Sequence, residues 1–199
     1  NNSGGIGYNN SLFLYIFLRN IKIDLVIESG VWQGFTSYII DSAKKGIKNI
    51  KFDINFSKLI YKSNKAEYNN FDINEYNFKN LKKKYLKYSL AFFDDHYSQL
   101  DRFLLSQKLG IPFIIFDDDL TYEAIHSDGW PALPTISMIK ESKLIKKFRW
   151  YNYGKIAKAH LKMRVNKIKL NDYIISKAPN ISNITGYYVQ SPMTFLRKK

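Results

Sequence analysis

The chain of 199 residues contains no cysteine. This absence excludes disulfides, zinc or iron–sulfur centres held by thiolates, and any reaction that needs a cysteine nucleophile. A chain without cysteine also fits a reducing compartment, so the expected localisation is cytoplasmic.

Long apolar runs are missing as well. The longest uninterrupted one covers residues 12–18, well short of the roughly 18 residues that a membrane-spanning helix needs. Residues 1–10 are rich in Gly and Asn, contain no signal-like segment, and are expected to form a flexible lead-in. With 45% apolar residues, the chain is predicted to be one soluble domain over residues 1–199.

Acidic residues are scarce relative to basic ones, at 17 against 31, which gives a net charge of +14. Such an excess suits an acidic partner such as nucleic acid, a phosphate-rich glycan or a membrane surface. A second explanation is a genome rich in A and T, whose codons favour Lys, Asn, Ile and Tyr without any ligand. Both explanations stay open, and the basic runs at 82–84 and 146–149 are interpreted as solvated faces.

Apolar segments that end in acids alternate with helical patterns over the first 119 residues. This alternation predicts an α/β fold, a Rossmann-like doubly wound and mostly parallel sheet with helices on both faces. The predicted strands are IKIDLVIE, IKNIKFDIN, AEYNNFDIN, SLAFFDDH and IPFIIFDDD. The predicted helices are SLFLYIFLRN with Ser11 as N-cap, residues 35–45, SKLIYKSN, NFKNLKKKYL and YSQLDRFLLSQKLG.

The last third of the chain is less regular. Residues 120–134 contain two prolines and a glycine, and they are predicted to form a lid loop. The segments TISMIKESKLIKKF and KIAKAHLKMRV are expected to be helical. ITGYYVQSPMTFLRKK indicates two strands around residues 190–192, which would add a C-terminal antiparallel hairpin and complete a seven-stranded sheet.

Acids stand at the ends of four predicted strands. In a parallel α/β sheet these ends face the crevice in which ligands bind, so the acids could bind ligand hydroxyls or a metal. Some of them could instead cap the following helix, a reading that applies most to Asp95 and Asp119. The acids are Glu28, Asp53, Asp94 with Asp95, and Asp117 with Asp118 and Asp119.

The loop after the first strand limits the classes of ligand that the site could bind. Gly30 and Gly34 are separated by Val31, Trp32 and Gln33, so the G-x-G-x-x-G pattern of dinucleotide sites is missing. The chain also lacks the G-x-x-x-x-G-K-[ST] loop that cradles phosphates. A ligand with a nucleoside but no phosphate fits this loop better, and the acids would bind its polar groups.

The segment ESGVWQG at residues 28–34 resembles the E-x-G-x-x-x-G motif of class I S-adenosylmethionine-dependent methyltransferases. The likeness is strongest to small-molecule and sugar O-methyltransferases and to cephalosporin-hydroxylase-like relatives. It implies that the loop lies against the methionine part of the cofactor, that the second-strand acid binds the ribose, and that Asp72 lies near the adenine. The implied cofactor-binding residues are Glu28, Gly30, Gly34, Asp53, Asp72 and Asp94.

Two further segments resemble the metal-dependent branch of that family. FFDDHYSQ is similar to its D-G-D-H segment, and IIFDDD is similar to the V-D-D ending of its fifth strand. The resemblance implies a divalent cation, usually Mg²⁺, on Asp95, Asp117 and Asp118, with Asp94 as substitute for Asp95. His96 and Asp95 are then the candidate catalytic residues, although His96 could equally be an ordinary histidine at a helix start.

The expected activity is therefore methyl transfer to a hydroxyl of a small molecule or saccharide, with Trp130 of the lid either stacking on the acceptor or packing. A nucleic-acid methyltransferase is the first alternative. The net positive charge favours this alternative, whereas the missing N-P-P-Y motif and the absence of cysteine, which excludes the covalent cytosine-C5 route, count against it. The second alternative is a binding or scaffold protein that kept the fold without the chemistry. The sequence does not predict the oligomeric state.

Overall fold

The computed structural model describes residues 5–121, 134–140, 147–152, 155–160, 170–187 and 191–199, and of residues 147–160 only the backbone. Most of the predicted lid at 120–134 lies outside these residues, together with Trp130 and His126. No helix within the described ranges is long and apolar enough to cross a membrane.

Seven strands form one mixed sheet in the order β3-β2-β1-β4-β5-β9-β8. Strands β1 to β5 pair in parallel, and β9 is antiparallel to both β5 and β8. This arrangement confirms the predicted Rossmann-like sheet with a C-terminal antiparallel pair. The strands are β1 Leu25–Ser29, β2 Lys48–Phe52, β3 Ala66–Asn69, β4 Ser89–Phe93, β5 Phe113–Phe116, β8 Tyr173–Lys177 and β9 Thr194–Lys198.

Strands β1 and β4 lie at the centre of the sheet, and every residue in both is buried. Burial on both faces explains why their sequences are nearly continuous apolar runs rather than alternating patterns. The order of strands reverses between them, since β2 and β3 extend to one side of β1 while β5 extends beyond β4. The ligand position expected from this topology therefore lies beyond the last residues of β1 and β4.

Helices cover both faces of the sheet. On one face, Leu14, Leu18 and Ile40 of α1 and α2 pack on side chains of β4 such as Phe92. On the other, Phe103 of α4 belongs to a second apolar cluster with the opposite-facing side chains of the strands. The helices are α1 Tyr8–Asn20, α2 Phe35–Ala43, α3 Lys83–Leu86, α4 Gln99–Leu109, α5 Ile136–Lys140 and α6 Ser182–Thr185.

Two predictions about the first third of the chain are wrong. The helix α1 begins at Tyr8, inside the expected lead-in, and its N-cap is Gly7 rather than Ser11. Its early residues Asn9 and Asn10 are buried and belong to the fold. The segment SKLIYKSN is not helical, because the backbone N–H groups of residues 60 and 61 both donate to the carbonyl of Gln33.

Three predictions about the last third also fail in detail. The expected basic helix KIAKAHLKMRV contains the strand β7 Lys155–His160, which pairs antiparallel with β6 Lys147–Asn152 in a separate two-stranded sheet. Of the helix predicted over residues 135–148, α5 confirms the first part, residues 147 and 148 belong to β6 instead, and residues 141–146 lie outside the described part of the chain. The strand that pairs with β9 in the closing antiparallel pair is β8, which comes earlier in the chain than expected. The first half of the predicted hairpin instead begins in α6.

Candidate active site

The loop between β1 and α2 is held tightly by the backbones of two neighbouring segments. Gly30 and Gly34 have φ angles of +88° and +89°, in the left-handed region that favours glycine. A Cβ atom on Gly30 would overlap the backbone carbonyl of Asp94, and one on Gly34 would overlap the carbonyl of Tyr61. Both glycines are therefore required by the packing of the loop against the chain itself.

Asp53 follows β2 and fixes the tip of this loop. Its Oδ2 atom accepts hydrogen bonds from the N–H groups of Val31 and Trp32, at 2.9 and 3.0 Å. Its Oδ1 atom accepts from the N–H of Asn55 at 2.9 Å. The Val31 side chain is buried, whereas Trp32 is 44% exposed, so the tryptophan lies at the surface of the loop.

Glu28, expected to grip a ligand, lies beneath the loop and is fully buried. Its Oε2 atom is 2.5 Å from Lys51 Nζ and accepts a hydrogen bond from Ser37 Oγ at 2.8 Å. Lys51 is also fully buried, and it was missing from the sequence interpretation. The sequence does contain a clue to this role: a lysine lies inside an apolar strand that is covered on both faces, where a charge requires a partner.

Asp72 and Asp95 are joined by Arg102 of α4, which sequence reasoning also missed. The guanidinium Nη1 and Nη2 atoms donate to the two oxygens of Asp72, at 3.1 and 2.5 Å, and Nε donates to Asp95 Oδ2 at 2.8 Å. Ser29 Oγ donates to the same Asp95 oxygen at 2.6 Å. Arg102 is 2% exposed. The signal in the sequence was an arginine directly before Phe103 on the apolar stripe of a helix.

Asp94, His96 and Asp118 come together at the carboxyl ends of β4 and β5. His96 Nε2 lies 3.6 Å from Asp94 Oδ1 and 3.3 Å from Asp118 Oδ2. One potential ligand atom from each residue lies within 4.8 Å of the others. This grouping contains the expected Asp118 and Asp94, the residue named as the substitute for Asp95, but it has His96 where Asp117 was expected.

His96 and Asp118 also have unusual backbone conformations. Their φ angles are +54° and +53°, which non-glycine residues adopt infrequently. Such conformations cost free energy, and they concentrate at functional sites. Here they bring the two side chains together across the ends of neighbouring strands.

The clustered carboxyl groups have raised pKa values. Burial is the main cause that raises the pKa of Asp94 to about 6; the nearby Asp118 carboxylate also raises this pKa, while His96 lowers it. Burial, followed by the charges of Asp94 and Asp118, also raises the pKa of Asp117 well above its ordinary value. A divalent cation at this place would relieve the repulsion that these groups exert on each other.

Asp117 and Asp119 are held by residues distant in sequence. Asp117 Oδ1 accepts hydrogen bonds from Asn10 Nδ2 at 3.2 Å and from Ser191 Oγ at 2.9 Å. The fully buried Asp119 accepts from the N–H and Oγ of Ser137 in α5 and from Thr194 Oγ1. Asp119 therefore supports α5 and β9, in line with the capping role considered for it.

Comparison of the sequence gives no match to a family model or to a curated protein. Solved structures do match. TomG from Streptomyces achromogenes, an O-methyltransferase of tomaymycin synthesis in complex with SAM, has a TM-score of 0.60 at 12% identity, covering 100% of this chain and 83% of that one. An O-methyltransferase from Bacillus cereus in complex with SAH has a TM-score of 0.60 at 12% identity, covering 99% and 84%. The chain therefore has the fold of these O-methyltransferases.

Proposed function

We propose that this protein transfers a methyl group from S-adenosylmethionine to a hydroxyl group of a small molecule or saccharide. The observation that carries the proposal is that two groups of residues lie next to each other at the carboxyl edge of the sheet. The glycine loop and Asp53 lie on one side of the switch point, and Asp94, His96 and Asp118 lie on the other. A cofactor in the crevice between them would have the acidic cluster beside its reactive end. The fold shared with two O-methyltransferases bound to SAM or SAH supports this assignment.

In this proposal, the backbone of the loop at residues 30–34 contacts the methionine part of the cofactor. Asp53 accepts hydrogen bonds from the ribose hydroxyls, for which carboxylate oxygens are suitable acceptors. Asp72, oriented by Arg102 and 30% exposed, lies toward the adenine. Glu28 takes no direct part, because it is buried with Lys51; it stabilises the loop from below.

The cluster of Asp94, His96 and Asp118 also fits a divalent cation. Two carboxylates and one imidazole are a common set of metal ligands, and the nitrogen favours Mn²⁺ or a similar metal over Mg²⁺. A bound cation would lower the pKa of the acceptor hydroxyl. Asp117, fixed by Asn10 and Ser191, adds a further carboxyl group next to the cluster.

His96 can serve the reaction in one of two ways. Its Nε2 atom, placed between two carboxyl groups, can bind the cation, or it can accept the proton of the acceptor hydroxyl. One nitrogen atom cannot do both at once. Activity that does not depend on metal would leave the role of base for His96.

The cofactor assignment is tested by calorimetric titration with S-adenosylhomocysteine. The unmodified protein is expected to bind, and Asp53→Ala is expected to weaken binding at least tenfold, because Asp53 holds both the loop and the ribose. Asp101→Ala removes an exposed acid of α4 and is the matched control, with affinity unchanged. Failure of the unmodified protein to bind would overturn the proposed function.

The metal assignment is tested by the release of S-adenosylhomocysteine from a panel of phenolic and saccharide acceptors. Turnover is expected to need Mn²⁺ or Mg²⁺ and to be lost in Asp118→Asn, while Asp101→Asn remains active. Full activity in the presence of a chelator, together with its loss in His96→Gln, would instead assign His96 as the base and remove the cation from the proposal.

A further inference from the structure

Lysines are concentrated at the amino edge of the sheet, opposite the acidic crevice. Three segments lead into β1, β2 and β4, namely residues 21–24, 44–48 and 82–88. Together they contain eight lysines and one acid, Asp24. The whole chain has 31 basic and 17 acidic residues, so this edge is far more basic than the average. A bias of codons alone would spread lysines over the surface without regard to this edge.

The backbone brings these three segments side by side. The N–H groups of Asp24 and Leu25 donate to the carbonyl of Tyr88, and the N–H of Lys48 donates to the carbonyl of Asp24. Parallel pairing places Leu25 opposite both Lys48 and Ser89. Lysines that are far apart in the sequence therefore form one continuous basic surface, which we call the lysine edge.

Two half-buried tyrosines hold four of the eight ammonium groups of this edge in place. Lys22 and Lys87 lie over the ring of Tyr88, with Nζ at 4.3 and 5.4 Å from its centroid. Lys48 and Lys84 lie near the ring of Tyr85 in the same way, at 5.9 and 5.2 Å. These distances lie within the range of cation–π interactions. The ordering of flexible lysines reduces the entropy that binding an anion would cost.

The chemistry of the edge favours phosphate groups along a nucleic-acid backbone. Binding to a membrane surface usually combines lysines with apolar side chains that insert into lipid. Of the large exposed apolar side chains in the described residues, none lies in the three segments. The segments also contain no arginine, the residue that reads bases with a bidentate fork. Lysines that act as point charges contact phosphates without regard to sequence.

We propose that the lysine edge binds nucleic acid through its phosphate backbone, without sequence specificity and away from the acidic crevice. The proposal does not depend on methyl transfer, because the two surfaces lie at opposite ends of the strands. Binding is expected to tether the protein to nucleic acid while the crevice stays accessible to a small acceptor.

The test is fluorescence anisotropy with a labelled RNA of 20 nucleotides and mixed sequence, titrated at several salt concentrations. The triple variant Lys22→Gln, Lys84→Gln, Lys87→Gln removes three exposed charges of the edge. The loss of three phosphate contacts should weaken binding about tenfold and reduce the slope of log K against log salt by about 2. A change of RNA sequence should leave the affinity of the unmodified protein nearly unchanged.

The control variant Lys58→Gln, Lys79→Gln, Lys140→Gln removes three exposed lysines outside these segments. It lowers the net charge equally and should keep most of the RNA affinity. Equal losses in the two variants would overturn the proposal, since net charge would then explain binding. Retention on vesicles containing phosphatidylserine without affinity for RNA would also overturn it. Unchanged melting temperatures show that both variants are folded.

Discussion

Lys51 Nζ lies 2.5 Å from Glu28 Oε2, and both side chains are completely buried between β1, β2 and α2. The two residues occupy matching positions on neighbouring strands, since Glu28 pairs with Lys51 in the parallel register. Within the described residues, the second oxygen of Glu28 has no hydrogen-bond partner. The stability of the loop above therefore depends on a charge pair that water does not reach.

Removal of the lysine alone should be costly. Lys51→Met leaves the Glu28 carboxylate buried without its counter-charge, and we expect a loss of about 3 to 5 kcal/mol in the free energy of unfolding. The double variant Glu28→Gln, Lys51→Met should recover much of that loss, because no unpaired charge remains and Ser37 keeps an acceptor. Urea denaturation measures both changes. Equal destabilisation by the single and double variants would contradict this account.

Arg102 should control the ionisation of Asp72. Burial acts to raise the pKa of Asp72, but hydrogen bonds from Arg102 and from the N–H of Asn74 outweigh it, and the pKa is lowered. In Arg102→Met the pKa of Asp72 should rise, and the free energy of unfolding should fall by about 2 to 3 kcal/mol. NMR titration of the carboxyl carbons follows the pKa. A pKa unaffected by the substitution would show that Asn74 and local structure are sufficient.

Gly34 and Gly46 form a matched pair for testing the packing of the loop. Both have positive φ angles, of +89° and +78°, but only Gly34 has backbone atoms where a Cβ would lie. Gly46→Ala should lower the free energy of unfolding only by the cost of the left-handed conformation, about 1 to 2 kcal/mol. Gly34→Ala should cost about 1 to 3 kcal/mol more, because the Tyr61 carbonyl must move. Thermal denaturation compares them, and similar losses would show that the loop is more adaptable than its contacts indicate.

The raised pKa of Asp94 should make the stability of the metal-free protein depend on pH. Its folded-state pKa of about 6 exceeds the ordinary value of 3.8. Between these values the unfolded chain has lost a proton that the folded protein retains, so stability falls as the pH rises from about 4 to 6. Asp94→Asn should reduce this fall without abolishing it, since the pKa of Asp117 is raised too. Identical pH profiles of the two proteins, measured by urea denaturation, would refute the assignment.

The strand pattern could be predicted because buried parallel strands have a simple signature. Apolar runs that end in acids predicted β1, β2, β4 and β5. Those acids all lie at one edge of the sheet. The helical segments were harder. SKLIYKSN has a helical composition, yet Gln33 holds it in a different conformation through its backbone carbonyl. Contacts between distant segments of this kind outweigh local propensity.

The partners of the acids could not be predicted in the same way. Spacing showed that several carboxylates would share an edge, but not which of them would face each other. The choice of Asp94 over Asp95 for the cluster follows from Arg102 and Ser29, which bind Asp95 from α4 and β1. Those contacts depend on the packing of a helix against the sheet, and no local pattern records them.

Asn10 donates one hydrogen bond to Asp117 and another to the carbonyl of Ser191, at 3.2 and 3.0 Å. Residues 181 positions apart therefore fix a single carboxylate beside the acidic cluster. During synthesis on the ribosome, β1, β2 and β4 would be available to pair long before residue 191 emerges. The contacts that fix Asp117 would then form late, so a nascent chain with its central strands in place would still lack the contacts that hold this carboxyl group beside the acidic cluster.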